Sequence, residues 1–246
     1  MKIRTLASLM PLFCLSTYAL AGGPDAPDSM NTTRNHFFVG TFGDMGTMTA
    51  NDQAVIADIY ITSSNSSFIG SLGVSGGYAF KVAEYTMLNF STEFAQFFGK
   101  TVPNSIASPD GQGAFKDIFV PEQQLNLRLG PEFAINSKVH FSPEAGVSWL
   151  FFEDRGYPTP ASGYSYTPKF YKNYAAFGLV AGITMNYFSS LQHQFNFGID
   201  YIQYFNKALS GSPPLQDQGG TLVNPANARK VSLNMLLFKA GYQFNV

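Results

Sequence analysis

The sequence predicts an all-β protein: an antiparallel up-and-down barrel of eight strands that spans a membrane, with four long extracellular loops and short periplasmic turns. Three observations carry this. Apolar residues recur with period two over stretches longer than ordinary soluble strands. The connections between those stretches alternate between short and long. The charges inside them fall on the opposite phase from the apolar residues.

The N-terminus sets the address. Lys2 and Arg4 precede an apolar run from Leu6 to Leu20, and Ala19-Leu20-Ala21 places small residues around a cleavage point. The expectation is a secretory signal peptide over 1-21, an N-terminal periplasmic segment over 22-35 and a barrel domain over 36-246. The single cysteine, Cys14, lies in the leader, so disulfides and thiol chemistry are excluded from the mature chain. Of 15 basic residues Lys2 and Arg4 leave with the leader, so 13 face 16 acidic ones and the formal charge is -3. With no basic block, nucleic acid is not a predicted partner. Charged residues make up 13% of the chain while Phe (24) and Tyr (13) are abundant. Beyond the leader no apolar stretch approaches the length of a spanning helix.

The strands follow in order. Phe37 to about Met48 forms the first, with large apolar residues on both phases so that its facing is left open. The second runs from Phe68 to Val82, Phe68, Leu72, Val74, Tyr78 and Phe80 alternating with Ile69, Ser71, Ser75, Ala79 and Lys81. The third sets Leu88, Phe90, Phe94 and Phe98 against Asn89, Ser91 and Glu93, and the fourth sets Leu125, Leu127, Leu129 and Phe133 against Asn126, Arg128 and Glu132. In the fifth, Val139, Phe141, Val147 and Trp149 alternate with His140, Ser142 and Glu144. The sixth (Ala175 to Tyr187), the seventh (Phe195 to Tyr201) and the last (Leu236 to Val246) repeat the pattern. A tilted membrane strand needs roughly 9–11 residues, which every stretch but the shorter seventh supplies. Short turns are placed near Glu84, Ser137 and Ser189 to Gln192. The longer connections carry Gly, Pro, Ser and Asn, as in "TVPNSIASPDGQG", "RGYPTPASGYSYTPK" and "SGSPPLQDQGG". The apolar run Ala54 to Ile61 in the first of them either extends the strands beyond the membrane or covers the mouth.

Lys81, Glu93, Arg128, Glu132, Glu144, Asp200 and Lys239 all lie on the non-apolar phase. On the lipid side each costs up to ~2–4 kcal/mol at mid-depth, so they are assigned to the lumen. Four carboxylates there meet three cations, close to balance. An eight-strand barrel is just wide enough for its own side chains, so an ionic plug is expected rather than an open pore. Trp149, Phe151, Phe152, Tyr174, Tyr187, Phe188, Tyr242 and Phe244 lie near strand ends and are assigned to interfacial girdles.

Eight alternating strands, long outer connections and a terminal "GYQFNV" resemble the small outer-membrane barrels of Gram-negative bacteria: the OmpA-like transmembrane domain and OmpX-like and opacity-like surface proteins. In that resemblance Tyr242, Phe244 and Val246 form the C-terminal signal read by the barrel assembly machinery, with Val246 where the family usually has Phe. The resemblance implies the cell outer membrane as location, and outer-membrane lipid and lipopolysaccharide as surroundings. It also implies a host or environmental ligand at the loops.

His140-Phe141-Ser142 resembles the His-x-Ser pair of outer-membrane lipid hydrolases, and Glu144 would complete a triad. Those enzymes turn the pair toward lipid in the outer leaflet, whereas here it shares the lumen phase just above a periplasmic turn, and Pro143 stands where the deacylase pattern has Asn. Three scattered histidines (His36, His140 and His193) and no mature cysteine give no metal spacing. The expectation is a non-enzymatic surface barrel, without cofactor or metal, for envelope integrity, adhesion or host contact. The alternatives are a narrow pore or channel for small hydrophobic compounds, and, less favoured, a lipid hydrolase.

Overall fold

The computed structural model describes residues 35–56, 59–99, 101–107, 113–160, 170–190, 192–209, 215–216, 222–223 and 229–246. The leader, its cleavage point and nearly all of the 22-35 segment fall outside them. Among the described residues the chain forms β1 (His36–Ile56), β2 (Ile59–Ala83), β3 (Thr86–Gly99), β4 (Val102–Ala107), β5 (Gly113–Ala134), β6 (Val139–Pro160), β7 (Phe170–Phe188), β8 (His193–Tyr204), β9 (Lys207–Ala208), β10 (Leu215–Gln216), β11 (Leu222–Val223) and β12 (Lys230–Asn245). Eight of these close a ring in the order β1-β2-β3-β5-β6-β7-β8-β12, with β12 pairing back onto β1 from Phe38↔Asn245 to Gln53↔Lys230. Every pairing in the ring is antiparallel. Closure satisfies each ladder and removes the sheet edge, the requirement for backbone inside lipid.

The strands are longer than a bilayer needs. β2 has 25 residues, which at roughly 3.3 Å per residue and a tilt near 40° rise on the order of 60 Å, against an apolar band of roughly 25 Å. Within the run Ala54 to Ile61 the described residues, 54–56 and 59–61, are accordingly strand: the β1–β2 ladder continues through Ala54↔Ile61 to Ile56↔Ile59. It extends the sheet beyond the membrane.

Along β12 the polarity of the two faces exchanges partway up. From Tyr242 to Leu236 the outward residues are exposed and apolar while Gln243 and Lys239 are buried inside. From Leu237 upward the buried face carries Leu237, Met235, Leu233 and Val231, and the outer face Asn234, Ser232 and Lys230. β1 makes the same exchange: Met45 faces out below, whereas Asn51 and Gln53 face out above Met48 and Ala50 within. The lower storey is therefore a membrane barrel and the upper one is built like a soluble domain, greasy inside and polar outside.

The upper storey also divides. The β2–β3 ladder ends at Ile69↔Gly99 and the β7–β8 ladder at Gly178↔Tyr204. Above those levels, β4 pairs with β5 and β9 with β12. Two leaves result among the described residues, β9-β12-β1-β2 and β4-β5-β6-β7, facing each other across a dry core. Met48, Leu233 and Met235 come from the first leaf, Val102, Phe119, Leu150 and Phe152 from the second. The girdle assignment is corrected here for Phe152, Tyr174 and Phe188, which are buried inside the barrel. Phe152 and Tyr174 stand in the inverted storey, and Phe188 packs on the His140 ring at 4.5 Å. Phe151, Tyr187 and Tyr242 do face outward.

Candidate functional site

The lumen of the lower storey holds the charged groups, and neighbouring-strand glycines make room for them. Arg128 lies opposite Gly146, Lys239 opposite Gly198, and both Glu144 and Asp200 opposite Gly182. At Gly182 the space is already taken: a Cβ would sit 2.0 Å from Asp200 Oδ1.

Arg128 is the hub. Its Nη1 and Nη2 donate to Asp200 Oδ1 and Oδ2 at 2.7 and 2.6 Å, a bidentate fork. Its Nε lies 2.9 Å from Glu93 Oε2, and Nη1 lies 3.7 Å from Glu144 Oε2. Lys239 Nζ bridges Glu93 at 2.7 Å and Asp200 at 3.1 Å, and rests 4.9 Å from the centre of the Phe42 ring. The five residues assigned to one height, Glu93, Arg128, Glu144, Asp200 and Lys239, thus converge. Removing one partner from such a buried set leaves an uncompensated charge, at a cost of about 3–5 kcal/mol.

Two of the expected members stand apart. Glu132 forms a lower cluster: its Oε1 meets His140 Nδ1 at 2.6 Å, and its Oε2 accepts from Asn89 Nδ2 at 2.6 Å and Asn186 Nδ2 at 3.0 Å. Lys81 is exposed at the periplasmic end of β2, where its backbone N–H donates to Asn35 at 2.8 Å. Its phase is the lumen phase, since it pairs with buried Met87, but it stands at the last regular pair before the ladder ends at Ala83↔Thr86, and its side chain is exposed. Asp44 takes a place that the sequence left unassigned. Buried on β1 opposite Lys239, it accepts from Ser71 at 3.1 Å. The signal was hidden because Phe38 and Phe42 share its face and gave β1 two apolar sides.

The catalytic triad does not assemble. His140 is engaged by Glu132, not Glu144, and the Ser142 hydroxyl donates to the Pro131 carbonyl at 3.2 Å and to Glu144 Oε1 at 3.3 Å. A serine committed to a carbonyl and a carboxylate is not handing its proton to an imidazole.

Above the ionic layer Tyr204, Gln124 and Ser148 close the polar region: Tyr204 OH accepts from Gln124 Nε2 at 2.6 Å and lies 2.9 Å from Ser148 Oγ. The dry core follows, and it ends in a second ionic group that the sequence did not announce. Arg229 donates from Nη2 to Asp52 Oδ2 at 2.5 Å and from Nη1 to Asp154 Oδ2 at 3.3 Å, all three residues buried. Asp52 belongs to one leaf and Asp154 to the other, so Arg229 pins them together. This cluster lies outside the membrane, beyond the outward apolar band. Burial, reinforced by the Asp52 carboxylate, pushes Asp154 up to about 8. At neutral pH it keeps its proton, and Arg229 is balanced by Asp52.

The ring and the charged, filled lumen define the class: a closed, eight-stranded antiparallel β-barrel of the membrane-spanning kind. No family model and no curated protein matches the sequence. Solved structures do. The attachment invasion locus protein Ail of Yersinia pestis is 14% identical, over 83% of this chain and 98% of that one, with a TM-score of 0.33. Neisserial surface protein A is 14% identical over 85% and 96%, at a TM-score of 0.34. The outer membrane protease OmpT of Escherichia coli is 10% identical over 87% and 98%, at 0.44. Likeness at this level concerns fold alone.

Proposed function

We propose that the chain is a non-enzymatic surface barrel, exported by the cleaved 1-21 leader and installed by the barrel assembly machinery through Tyr242, Phe244 and Val246. It serves as a closed stem that lifts its tips clear of lipopolysaccharide for adhesion, host contact or envelope integrity. One observation carries the reading: the upper lumen is filled with dry side chains, Phe119, Leu150, Phe152 and Ile202 all having 0% exposure. A transport path has no way through such a core, and a polar-clad extension has no use in holding lipid. It suits display. Tyr171 on β7 stays exposed at that level, beside the cation of Arg155, and is the kind of amphipathic side chain that contact surfaces favour.

The test joins two measurements on the full chain. In planar bilayers the purified barrel is expected to show no steady conductance, and cells expressing it with residues 161–169 or 210–228 replaced by short Gly-Ser links should lose surface binding without losing heat-modifiable gel mobility. Steady conductance, or hydrolysis of phospholipid abolished by both His140→Ala and Ser142→Ala, would move the protein to the pore or the hydrolase class.

A further inference from the structure

Above the apolar band the charged side chains are unevenly placed. Among the described residues one cation stands on each of four neighbouring strands: Arg155 on β6, Lys172 on β7, Lys207 on β9 and Lys230 on β12, with β9 taking the place of β8 beside β12. Lys172 and Lys230 are exposed, Arg155 and Lys207 half-buried. Glu153, held by Arg155 at 2.6 Å, is the one described carboxylate on the outer face of these strands. The carboxylates behind them add no charge, since Arg229 balances Asp52 and Asp154 keeps its proton. On β1 and β2 the outward residues at this level are Thr49, Asn51, Gln53, Thr62, Ser64 and Ser66, all neutral. A coat built for solubility alone would intersperse its charges round the whole wall.

Lys172 and Lys207 border the split in the wall. Each holds an inward phase, two residues from buried Tyr174 or Leu209, yet reaches the surface, because the β7–β8 ladder has ended at Gly178↔Tyr204. Below them lies an aromatic platform. Trp149 on β6, Phe177 on β7 and Phe205 just past β8 touch in sequence, with ring centroids 5.2 and 5.8 Å apart. Phe177 and Phe205 are exposed and belong to the top of the lipid-facing band. Arg155 is four residues above Phe151 and Lys172 five above Phe177, roughly 10–13 Å in a strand tilted near 40°. Lys207 is two residues past Phe205. Long flexible stems lower these charges toward the headgroup layer that begins where the rings end.

We propose that this arc, from β6 across the split to β12, docks a phosphate-bearing glycolipid of the outer leaflet. Its acyl chains lie against Trp149, Phe177 and Phe205, and its phosphates meet Lys172 and Lys207, with Arg155 and Lys230 on the flanks. The inference rests on the reading of this end as the outward one. Lysine serves a phosphate as a compact, adjustable point charge, and arginine adds planar donors. A soluble polyanion would draw on the cations alone, whereas a lipid also uses the rings beneath them, which are continuous with the apolar band. The bound lipid covers the lower end of the split, where the ladder stops, and holds the two leaves at a fixed height above the membrane.

The experiment titrates bisphosphorylated lipid A into the refolded full barrel in zwitterionic detergent, with retained lipid counted by native mass spectrometry. Detergent removes membrane orientation from the result, so failure here is distinct from failure of the display reading. The barrel should keep one lipid A under conditions that strip phosphatidylcholine, and hold phosphate-free lipid A more weakly. Lys172→Gln together with Lys207→Gln should weaken retention by about tenfold or more. The same exchange at the periplasmic end, Lys81→Gln with Lys138→Gln, should leave it unchanged. Should the first pair not refold, Arg155→Gln with Lys230→Gln is expected to weaken retention in the same sense. Equal retention of phosphate-free lipid A, an equal loss in the periplasmic pair, or retention indifferent to both arc variants would each overturn the proposal. So would inorganic tripolyphosphate binding as tightly as lipid A, since the occupant would then be a soluble polyanion.

Discussion

Asp154 shows how much a single buried carboxyl can govern. Burial and the neighbouring Asp52 raise it to about 8, from an ordinary 3.8. In the unfolded chain it ionises near its ordinary value. Between the two values the folded state therefore binds more protons than the unfolded one, and stability falls as pH rises through that window. The term is fully present below the unfolded value and gone above about 8. Asp154→Asn, which keeps the shape and loses the titration, should flatten the decline of melting temperature in detergent between about pH 5 and pH 8; a wild-type decline unchanged in the variant would place its origin elsewhere. Residues such as Arg128 and Asp200 were legible in sequence because each stood on a face of polar and small residues opposite a continuous apolar one. Asp154 and Arg229 were not, because they fall where the inner face has become apolar and the outer face polar, and the rule that set the phases no longer applies.

At the scale of elements, the same exchange explains why the strand ends beside the short turns were read well and the opposite ends badly. The short turns near Glu84, Ser137 and Ser189 follow the apolar-out pattern directly to its edge, and the ladders begin there. Upward, β1 and β2 outrun the pattern by several residues, since Asn51 and Gln53 on β1 and Ser64 and Ser66 on β2 resemble loop composition. What holds these extensions together is the packing of two leaves with Arg229 between them. Arg229→Ala leaves Asp52, 0% exposed, as a buried charge without its cation, a loss of about 3–5 kcal/mol. The membrane ring shares none of those contacts. The expected result is early cleavage of the upper storey by protease while the core fragment keeps its heat-modifiable gel mobility. Simultaneous loss of both would mean that the two storeys fold as one unit.

For the whole molecule, the depth at which it sits in the bilayer follows from where its outer surface changes chemistry. Lipid cannot solvate Asn51, Gln53 or Ser232, and water does not favour a continuous coat of Val39, Leu179 and Phe197, so the exchange levels on β1 and β12 define one plane around the barrel. Because Cys14 is the only cysteine of the sequence, single-cysteine variants made on a Cys14→Ser background can carry a spin label at one chosen site. In bilayers, labels at Val39, Leu179 and Phe197 should be relaxed by oxygen, which partitions into lipid. Labels at Asn51, Ser64 and Ser232 should respond instead to a water-soluble nickel complex. Labels at Leu150 and Leu233, inside the upper storey and 0% and 1% exposed, should respond to neither. Oxygen dominance at Asn51 and Ser232 would mean that the bilayer covers the polar coat. Nickel access at Leu150 would mean that water reaches the core, and the stem would then be a conduit.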